Sequence, residues 1–434
     1  MYFDDFPKEP HYRLANATVS KIALDPADRT GDLTRVDLTV ENGRITKLTA
    51  AGTAPASEGT PVFDMQDGMV WPVCAELHTH LDKGQTLPRV TNPTGTHANA
   101  LDLVAADRDA YWSAEDVEAR MDFALRCAYA QGTALIRTHI DSFPPQGEQS
   151  WPVFSKIRDR WKGKVELQGS PLVPLIFYAD MEGSRKLADL AHEHGGLLGA
   201  AAKSVEDPDP LLDRLFSLAV ERDMDIDIHA DETDDINSNA LAALARKTIE
   251  YGWQGRVTAG HCCALAVQSD NVAKETMALV AEAGVTVVSL PMCNMYLQGR
   301  GEGMTPRWRG VTLLQELADA GASVAVSSDN TRDPFFAYGD LDPVEVFTQS
   351  VRIAQLDLPV GPWFRAITRT PAEVMRRPDM CGLAEGGPAD FILHRTRNWT
   401  ELLARPRDER LVVRNGVPLS DGVPDYRELD HLFA

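Results

Sequence analysis

Two histidines stand one residue apart in the stretch AELHTHLDKG, residues 75–84, which overlaps the end of the apolar run GMVWPVCAEL. In a β-strand, residues i and i+2 point to the same side, so a strand here projects His78 and His80 together. Two imidazoles held in this way can bind one metal ion. The alternative interpretation is a pair of polar residues at the end of a strand, and the rest of the chain must distinguish the two.

The composition limits the class of protein. The chain has 434 residues, 44% hydrophobic and 25% charged, which is typical of a globular protein. Its net charge of −21 argues against nucleic acid and anionic membranes as partners. The first residues, MYFDDFPKEPHYRL, lack the apolar segment of a secretory signal, and no run approaches the roughly twenty apolar residues of a membrane span. Six scattered cysteines without a CxxC pair favour a reducing compartment, so we expect a cytoplasmic protein.

Short apolar segments recur along the middle of the chain, mostly at about the thirty-residue spacing of a strand–helix unit. Helical patterns, several of them ending in Gly, separate these segments. Eight parallel strands close a barrel, so the sequence predicts the α/β class and a (β/α)8 barrel over residues 71–384. The first predicted strand contains the two histidines, and the others lie in 132–141, 165–177, 195–203, 224–232, 255–261, 284–290 and 322–330.

The two ends of the chain have a different pattern. Residues 1–70 and 385–434 contain short β-like segments broken by turn residues, with the hairpin signals ENGR and RNGV. We expect these ends to build one small β-sandwich domain together. The long interval between the first two barrel strands, residues 82–131, predicts a loop over the site followed by two helices.

Polar residues mark the ends of the predicted barrel strands. In such barrels the catalytic side chains lie at the carboxyl ends of the strands. The two histidines of the HTH segment, with His229 and Asp329, supply three imidazoles and one carboxylate, a ligand set for Zn²⁺ or Fe²⁺ with one open coordination position. We therefore interpret the histidine pair as part of a metal site. The residues at these ends are His78 and His80, His139 and Asp141, His229 with Asp231 and Glu232, His261, and Asp329.

Six motifs carry a family resemblance. In chain order, HTHLDKGQT, RTHID, DIHADE, GRVTAGH, NMYLQGR and SSDNTRDPFFAYG resemble the cytosine deaminase branch of the amidohydrolase superfamily. The resemblance implies a (β/α)8 barrel, a β-sandwich made from both chain ends and one divalent metal ion per chain. It also implies that Glu232 is the proton shuttle and that His261 activates water and faces the substrate. The metal ligands by this resemblance are His78, His80, His229 and Asp329.

Elementary chemistry supports these roles. Water bound to a divalent metal has a pKa of roughly 7, and Asp329 beside it can accept a proton. An aromatic amidine accepts a nucleophile only when a ring nitrogen is protonated, a task that suits the carboxyl group of Glu232. His261 can stabilise the developing alkoxide by hydrogen bonding. Because Glu232 is three residues after His229, the chain must leave the strand between them for both to face the metal.

Three positions depart from the cytosine-using pattern. Leu175 stands where those enzymes carry a glutamine that recognises the pyrimidine, Asn330 stands at a second aspartate, and Phe335 replaces a tryptophan over the ring. Leucine cannot hydrogen-bond an amide edge, so cytosine itself is disfavoured. The variants HLDK and SDN look more similar to enzymes of the same branch that hydrolyse aminated triazine rings. Lys83, just after the histidine pair, either contacts a substrate carbonyl or is a surface cation.

These observations lead to one main hypothesis with alternatives. The main hypothesis is a hydrolase of non-peptide carbon–nitrogen bonds that deaminates a pyrimidine-, purine- or triazine-like heterocycle, with a small heterocycle as its partner. A cyclic amide hydrolase would open the ring with the same metal site but release no ammonia. A non-catalytic scaffold is a remote alternative, because every ligand position is filled. A second metal ion would need His139 or Lys203 as a ligand, but we favour a role for His139 in supporting the metal ligands. The sequence leaves open whether the protein forms a homo-oligomer.

Overall fold

The computed structural model describes residues 2–53, 59–203 and 205–433. The chain divides into two compact units. The first unit comprises Met1–Ala75, Cys127–Ala134 and Asp342–Pro424, and the second comprises Glu76–Arg126, Leu135–Leu341 and Asp425–Ala434. The predicted boundaries, residues 1–70 with 385–434 and residues 71–384, stay a prediction.

The elements are numbered along the chain. The strands are β1 (His11–Ser20), β2 (Leu33–Glu41), β3 (Arg44–Ala50), β4 (Val62–Asp64), β5 (Val70–Pro72), β6 (Cys74–Thr79), β7 (Thr133–Asp141), β8 (Glu166–Leu172), β9 (Leu198–Ala202), β10 (Ile226–Ala230), β11 (Val257–His261), β12 (Thr286–Ser289), β13 (Ser323–Val326), β14 (Phe391–His394), β15 (Arg410–Arg414) and β16 (Val417–Pro418).

The helices alternate with the strands in the middle of the chain. They are α1 (Lys21–Leu24), α2 (His97–Tyr111), α3 (Ala114–Gln131), α4 (Gln146–Trp161), α5 (Met181–Glu193), α6 (Asp209–Arg222), α7 (Ala240–Glu250), α8 (Asp270–Ala283), α9 (Pro291–Leu297), α10 (Leu314–Asp319), α11 (Pro343–Ala354), α12 (Arg369–Val374) and α13 (Trp399–Ala404). Short 3₁₀ helices cover Leu175–Ala179, Cys263–Ala266, Gly361–Ile367 and Tyr426–Leu432.

The first unit contains two four-stranded sheets, with the orders β3-β2-β1-β4 and β16-β15-β14-β5. The second sheet pairs β5 antiparallel with β14, so strands from both chain ends share one sheet. The predicted hairpins are confirmed, because Asn42 and Asn415 each have a φ of 50° and the glycine after each also has a positive φ. Trp71 on β5 is buried and packs against the rings of Phe347 and Phe364.

The second unit contains the strands that the sequence predicted for the barrel. Five strands pair in parallel in one sheet with the order β13-β12-β11-β10-β9. The other sheet of this unit has the order β6-β7-β8. Parallel bridges between Thr79 and Asp329 and between Pro174 and Ala201 link the two sheets at both edges. The α/β class and the (β/α)8 barrel with a small β-domain are therefore confirmed.

The barrel strands are buried because helices cover their outer face, as is typical of parallel sheets. Every residue of β7 and β10 is buried, and inside the barrel Arg137 forms an ion pair with Asp227 at 2.9 Å. The interval after β6 contains a loop and then α2 and α3, as predicted. Among the described residues, no helix has both the length and the apolar character needed to cross a bilayer.

Candidate active site

The ends of three barrel strands bring the predicted metal ligands together. His80 Nε2 lies 3.1 Å from Asp329 Oδ1 and 3.3 Å from His229 Nε2. His78 Nε2 lies 3.6 Å from the same oxygen of Asp329. Donor atoms that share one ion tetrahedrally at about 2.1 Å are about 3.4 Å apart. The three distances are close to this value. The donor atoms of His78, His80 and Asp329 form one compact group, and those of His78, His139 and His229 form a second group that shares His78.

The donor atoms are also in the chemical state that a metal requires. His78 Nε2 is buried without a hydrogen-bond partner among the described residues, and both carboxylate oxygens of Asp329 are buried. Burial lowers the pKa of His78, His80 and His229 well below the usual range, so the imidazoles are neutral and can donate a lone pair. Burial and the charge of Glu232 raise the pKa of Asp329, so a cation here would stabilise its carboxylate.

Left-handed backbone conformations direct the side chains at the ends of the strands. Asp231, His261 and Asp329 have φ values of 49°, 69° and 69°. Strand β10 ends one residue before Asp231, whose conformation turns the chain so that Glu232 approaches the side chain of His261. The Asp231 carboxylate accepts two backbone N–H bonds at the start of α7, which stabilises this turn. Each such non-glycine conformation costs about 1–2 kcal/mol, which the surrounding contacts offset.

The Nδ1 atom of His78 contacts a neighbouring imidazole. His139 Nε2 lies 3.1 Å from His78 Nδ1 and 3.7 Å from Asp227 Oδ1. A Cβ atom added at Gly260 would lie 2.6 Å from His78 Cε1, so only glycine leaves room for the ring. Contacts of this kind orient a ligating histidine. The role of His139 in supporting the metal ligands stays a prediction. Lys203, the other residue considered for a second metal ion, is exposed just after β9.

Glu232 and His261 lie next to the metal ligands. One oxygen of the Glu232 carboxylate is 3.7 Å from His261 Nδ1, and the other is 3.2 Å from His97 Nε2. Burial alone would raise the pKa of Glu232, but His261, His97 and Lys203 lower it to about 2. The carboxylate is therefore ionised at neutral pH. Asn294 lies 2.9 Å from His261 Nδ1, while His261 Nε2 is buried with no partner among the described residues.

Lys83 is buried and is not a surface cation. Its side chain is 6% exposed, and its Nζ lies 3.1 Å from Asp141 Oδ1 and 5.2 Å from the centre of the Phe335 ring. Desolvation opposes its charge, but Asp141 and other carboxylates raise the pKa of Lys83, so the ammonium persists. Buried Arg120 donates hydrogen bonds to the carbonyls of Asp82 and Gly84, and these bonds hold the backbone on either side of Lys83.

The three other predicted substrate contacts have different surroundings. The side-chain amide of Asn330 donates to Asp333 Oδ2 at 2.7 Å, so it stabilises its own loop. Leu175 is fully buried at the first position of a 3₁₀ helix that follows β8. Phe335 is nearly buried, with Lys83 and His97 against its ring. Contact of these side chains with a substrate stays a prediction.

Two residues without a role predicted from the sequence lie beside Glu232 and His261 in the structure. Asn294 lies inside the motif NMYLQGR, so its position in that motif was a usable signal. His97 lies in the long interval after β6, and no local pattern distinguishes it from the other isolated histidines. Only the folded loop brings His97 to Glu232.

The fold and the site together define a class. This protein is a (β/α)8 barrel with three histidines and an aspartate at the ends of its strands. That architecture is typical of metal-dependent barrel hydrolases. The model of the amidohydrolase family matches residues 174–420. The chain belongs to the amidohydrolase family and is a hydrolase of carbon–nitrogen bonds other than peptide bonds.

Individual relatives agree with this assignment. The chain is 50% identical to a pterin deaminase of Rhizobium rhizogenes, over 99% of this chain and 98% of that protein. It is 25% identical to the N-isopropylammelide isopropyl amidohydrolase of Pseudomonas sp. (strain ADP), over 88% of this chain and 92% of that one. The crystal structure of 5-methylcytosine deaminase from Klebsiella pneumoniae superposes with a TM-score of 0.82 at 24% identity, covering 95% and 99% of the two chains.

Proposed function

We propose that this protein is a metal-dependent hydrolytic deaminase that releases ammonia from a pterin or a closely related 2-amino-heterocycle. The observation that carries the proposal is the compact group of His78, His80 and Asp329, with the His229 imidazole 3.3 Å from His80. Identity of 50% with a pterin deaminase favours a pterin, whose pyrimidine ring bears the amino group. The binding partner that this reaction needs is a small heterocyclic substrate. We also propose that the protein is located in the cytoplasm.

We propose one Zn²⁺ or Fe²⁺ ion per chain, held by His78, His80, His229 and Asp329. When bound, a divalent ion acts as a Lewis acid that lowers the pKa of a coordinated water to roughly 7. The neutral imidazoles and the buried carboxylate described above support this assignment. His139, behind His78, would keep that ligand in place.

The proton transfers fall to Glu232. Its low pKa makes it a carboxylate at neutral pH, so it first accepts the proton of the attacking water. It then delivers that proton to the ring nitrogen beside the reacting carbon. Glu232 next takes the proton of the hydroxyl group now on the reacting carbon and passes it to the amino group. The carbon–nitrogen bond then breaks, ammonia departs and a carbonyl remains on the ring. His261 Nε2, which is free of protein partners among the described residues, would stabilise the oxygen at the reacting carbon.

Lys83 and Phe335 are suited to hold the heterocycle. Lys83 uses one of its three N–H groups on Asp141, which leaves donors for a ring carbonyl. Phe335 offers an aromatic face or edge to a flat ring, and its position against Lys83 keeps the two together. We also propose that Leu175 and Asn330 contact the heterocycle.

Ammonia release tests the function directly. Purified protein loaded with Zn²⁺ or Fe²⁺ is incubated with pterins, aminopurines, aminopyrimidines and aminotriazines, and ammonia and ring products are quantified. We expect one ammonia per pterin consumed and a product with a carbonyl in place of the amino group. A ring-opened carboxylate without ammonia would instead establish the cyclic amide hydrolase, and inactivity towards the whole panel would contradict both enzymes.

Cytosine is expected to be a poor substrate. The reason is Leu175, an apolar side chain where an amide would hydrogen-bond the pyrimidine edge, because a buried polar substrate group without a partner loses much of its binding free energy. We expect kcat/KM for cytosine to fall about 10²-fold or more below that for the preferred heterocycle. Parallel steady-state kinetics on both compounds with one enzyme preparation measure this ratio, and comparable values would show that Leu175 does not govern selectivity.

A further inference from the structure

We infer that His97, at the start of α2, is a positioning residue for the deamination that holds the Glu232 carboxylate in the orientation needed for proton transfer. The inference rests on the proposed function. The contact joins His97 Nε2 to Glu232 Oε2 at 3.2 Å, while Oε1 of the same carboxylate is 3.7 Å from His261 Nδ1. Of these two contacts, only the one with His97 is within hydrogen-bond distance, because His261 Nδ1 is paired with the Asn294 amide.

The Glu232 side chain needs such a contact. The terminal torsion of glutamate has broad wells, so rotamer preference alone does not orient the carboxylate plane. The proposed mechanism requires one oxygen to exchange a proton at the reacting centre, where small displacements are costly. A hydrogen bond between an imidazole and an ionised carboxylate is among the stronger and more directional ones. His97 therefore supplies the constraint that the glutamate lacks.

His97 is itself firmly placed. It is the first residue of α2, whose N-terminus is capped by the Thr96 hydroxyl. The side-chain amide of Asn92 donates to the carbonyls of Thr96 and Pro334, which ties the start of α2 to the loop that carries Phe335. The His97 ring also packs edge-on against Phe335, with 5.4 Å between ring centres.

His97 also lies on the solvent side of Glu232. Its side chain is 17% exposed, against 10% for Glu232 and 2% for His261. Without the imidazole, water would reach Oε2 and compete for the carboxylate. Because position 97 is partly exposed, water can reach the space that a smaller polar replacement leaves.

Two amide replacements separate the contact from the bulk of the side chain. In His97→Gln the side-chain amide can occupy the position of Nε2 and still donate to Glu232, whereas the amide of His97→Asn is too short to do so. We expect His97→Asn to lower kcat about tenfold with KM within about threefold, and His97→Gln to recover most of that loss. His192→Asn, at an exposed histidine near the end of α5, is the matched control and should match wild type.

A double-mutant cycle shows whether His97 acts through Glu232. In the Glu232→Gln background, His97→Asn should cause no further loss of kcat, because the positioned carboxylate is already gone. Metal content and melting temperature of all variants confirm that fold and site are intact.

Three results would overturn the inference while leaving the function standing: wild-type kcat in His97→Asn, a change in KM alone, or the same tenfold loss in both backgrounds. A wild-type enzyme that deaminates no heterocycle would overturn the proposed function and this inference together.

Discussion

Glu232→Gln is expected to lower kcat about 10²-fold or more while metal content and melting temperature stay at wild-type values. Glutamine keeps the shape of the side chain and can still bond to His97, but it cannot accept and release the proton that the reaction moves. The loss should fall on kcat, because the carboxylate acts on the proton in the transition state and not on the bound heterocycle.

The acidic segment DETDD provides a control from the same loop. Asp234 is exposed two residues after Glu232, so Asp234→Asn removes one negative charge without touching the site. We expect its kcat to stay within about twofold of wild type, as for surface changes in general. Steady-state kinetics on both metal-loaded variants decide the question. Near-wild-type turnover in Glu232→Gln would remove this residue from the mechanism.

His229→Ala is expected to strip most of the metal from the protein and to lower kcat about 10³-fold or more, since the ion supplies several kcal/mol of transition-state stabilisation. The variant removes the imidazole that lies 3.3 Å from His80 and would leave the proposed ligand set incomplete. Elemental analysis of wild type should give close to one Zn²⁺ or Fe²⁺ per chain, and the variant well below that.

Thermal melting gives a second measurement that does not depend on turnover. Added Zn²⁺ should raise the melting temperature of the metal-stripped wild type and have a much smaller effect on His229→Ala, because only a folded site binds the ion tightly. His192→Ala serves as the control for loss of a surface histidine. A metal-free preparation with full activity would contradict the metal assignment altogether.

The barrel was predictable because its signal is local and repeated. Each strand is a short apolar run, and the spacing to the next run leaves room for one helix. Parallel strands end at one edge, so the approach of His80, His229 and Asp329 follows once the strands are ordered. The strand ends were less predictable: β13 ends at Val326, and Asp329 reaches the site through its left-handed backbone and not as a strand residue.

Contacts made by loops were beyond prediction from the sequence. His97 and Glu232 are 135 positions apart, and their approach depends on the hydrogen bonds of Asn92 in the loop after β6. Asn330 follows Asp329 directly, which suggested a substrate contact, but its amide is bonded to Asp333. Such pairings are decided by the conformation of one loop, and hydrophobic periodicity carries no information about that conformation.

The pairing of β5 with β14 has a consequence for synthesis on the ribosome. The antiparallel partners of Val70–Pro72 lie in Phe391–His394, near the other end of the chain. Until those residues emerge, the nascent chain carries Trp71 on an unpaired strand edge that invites association with other chains. The sheet that contains β5 can therefore close only after residues 391–394 have left the ribosome, and until then chaperones that bind extended apolar segments can bind β5.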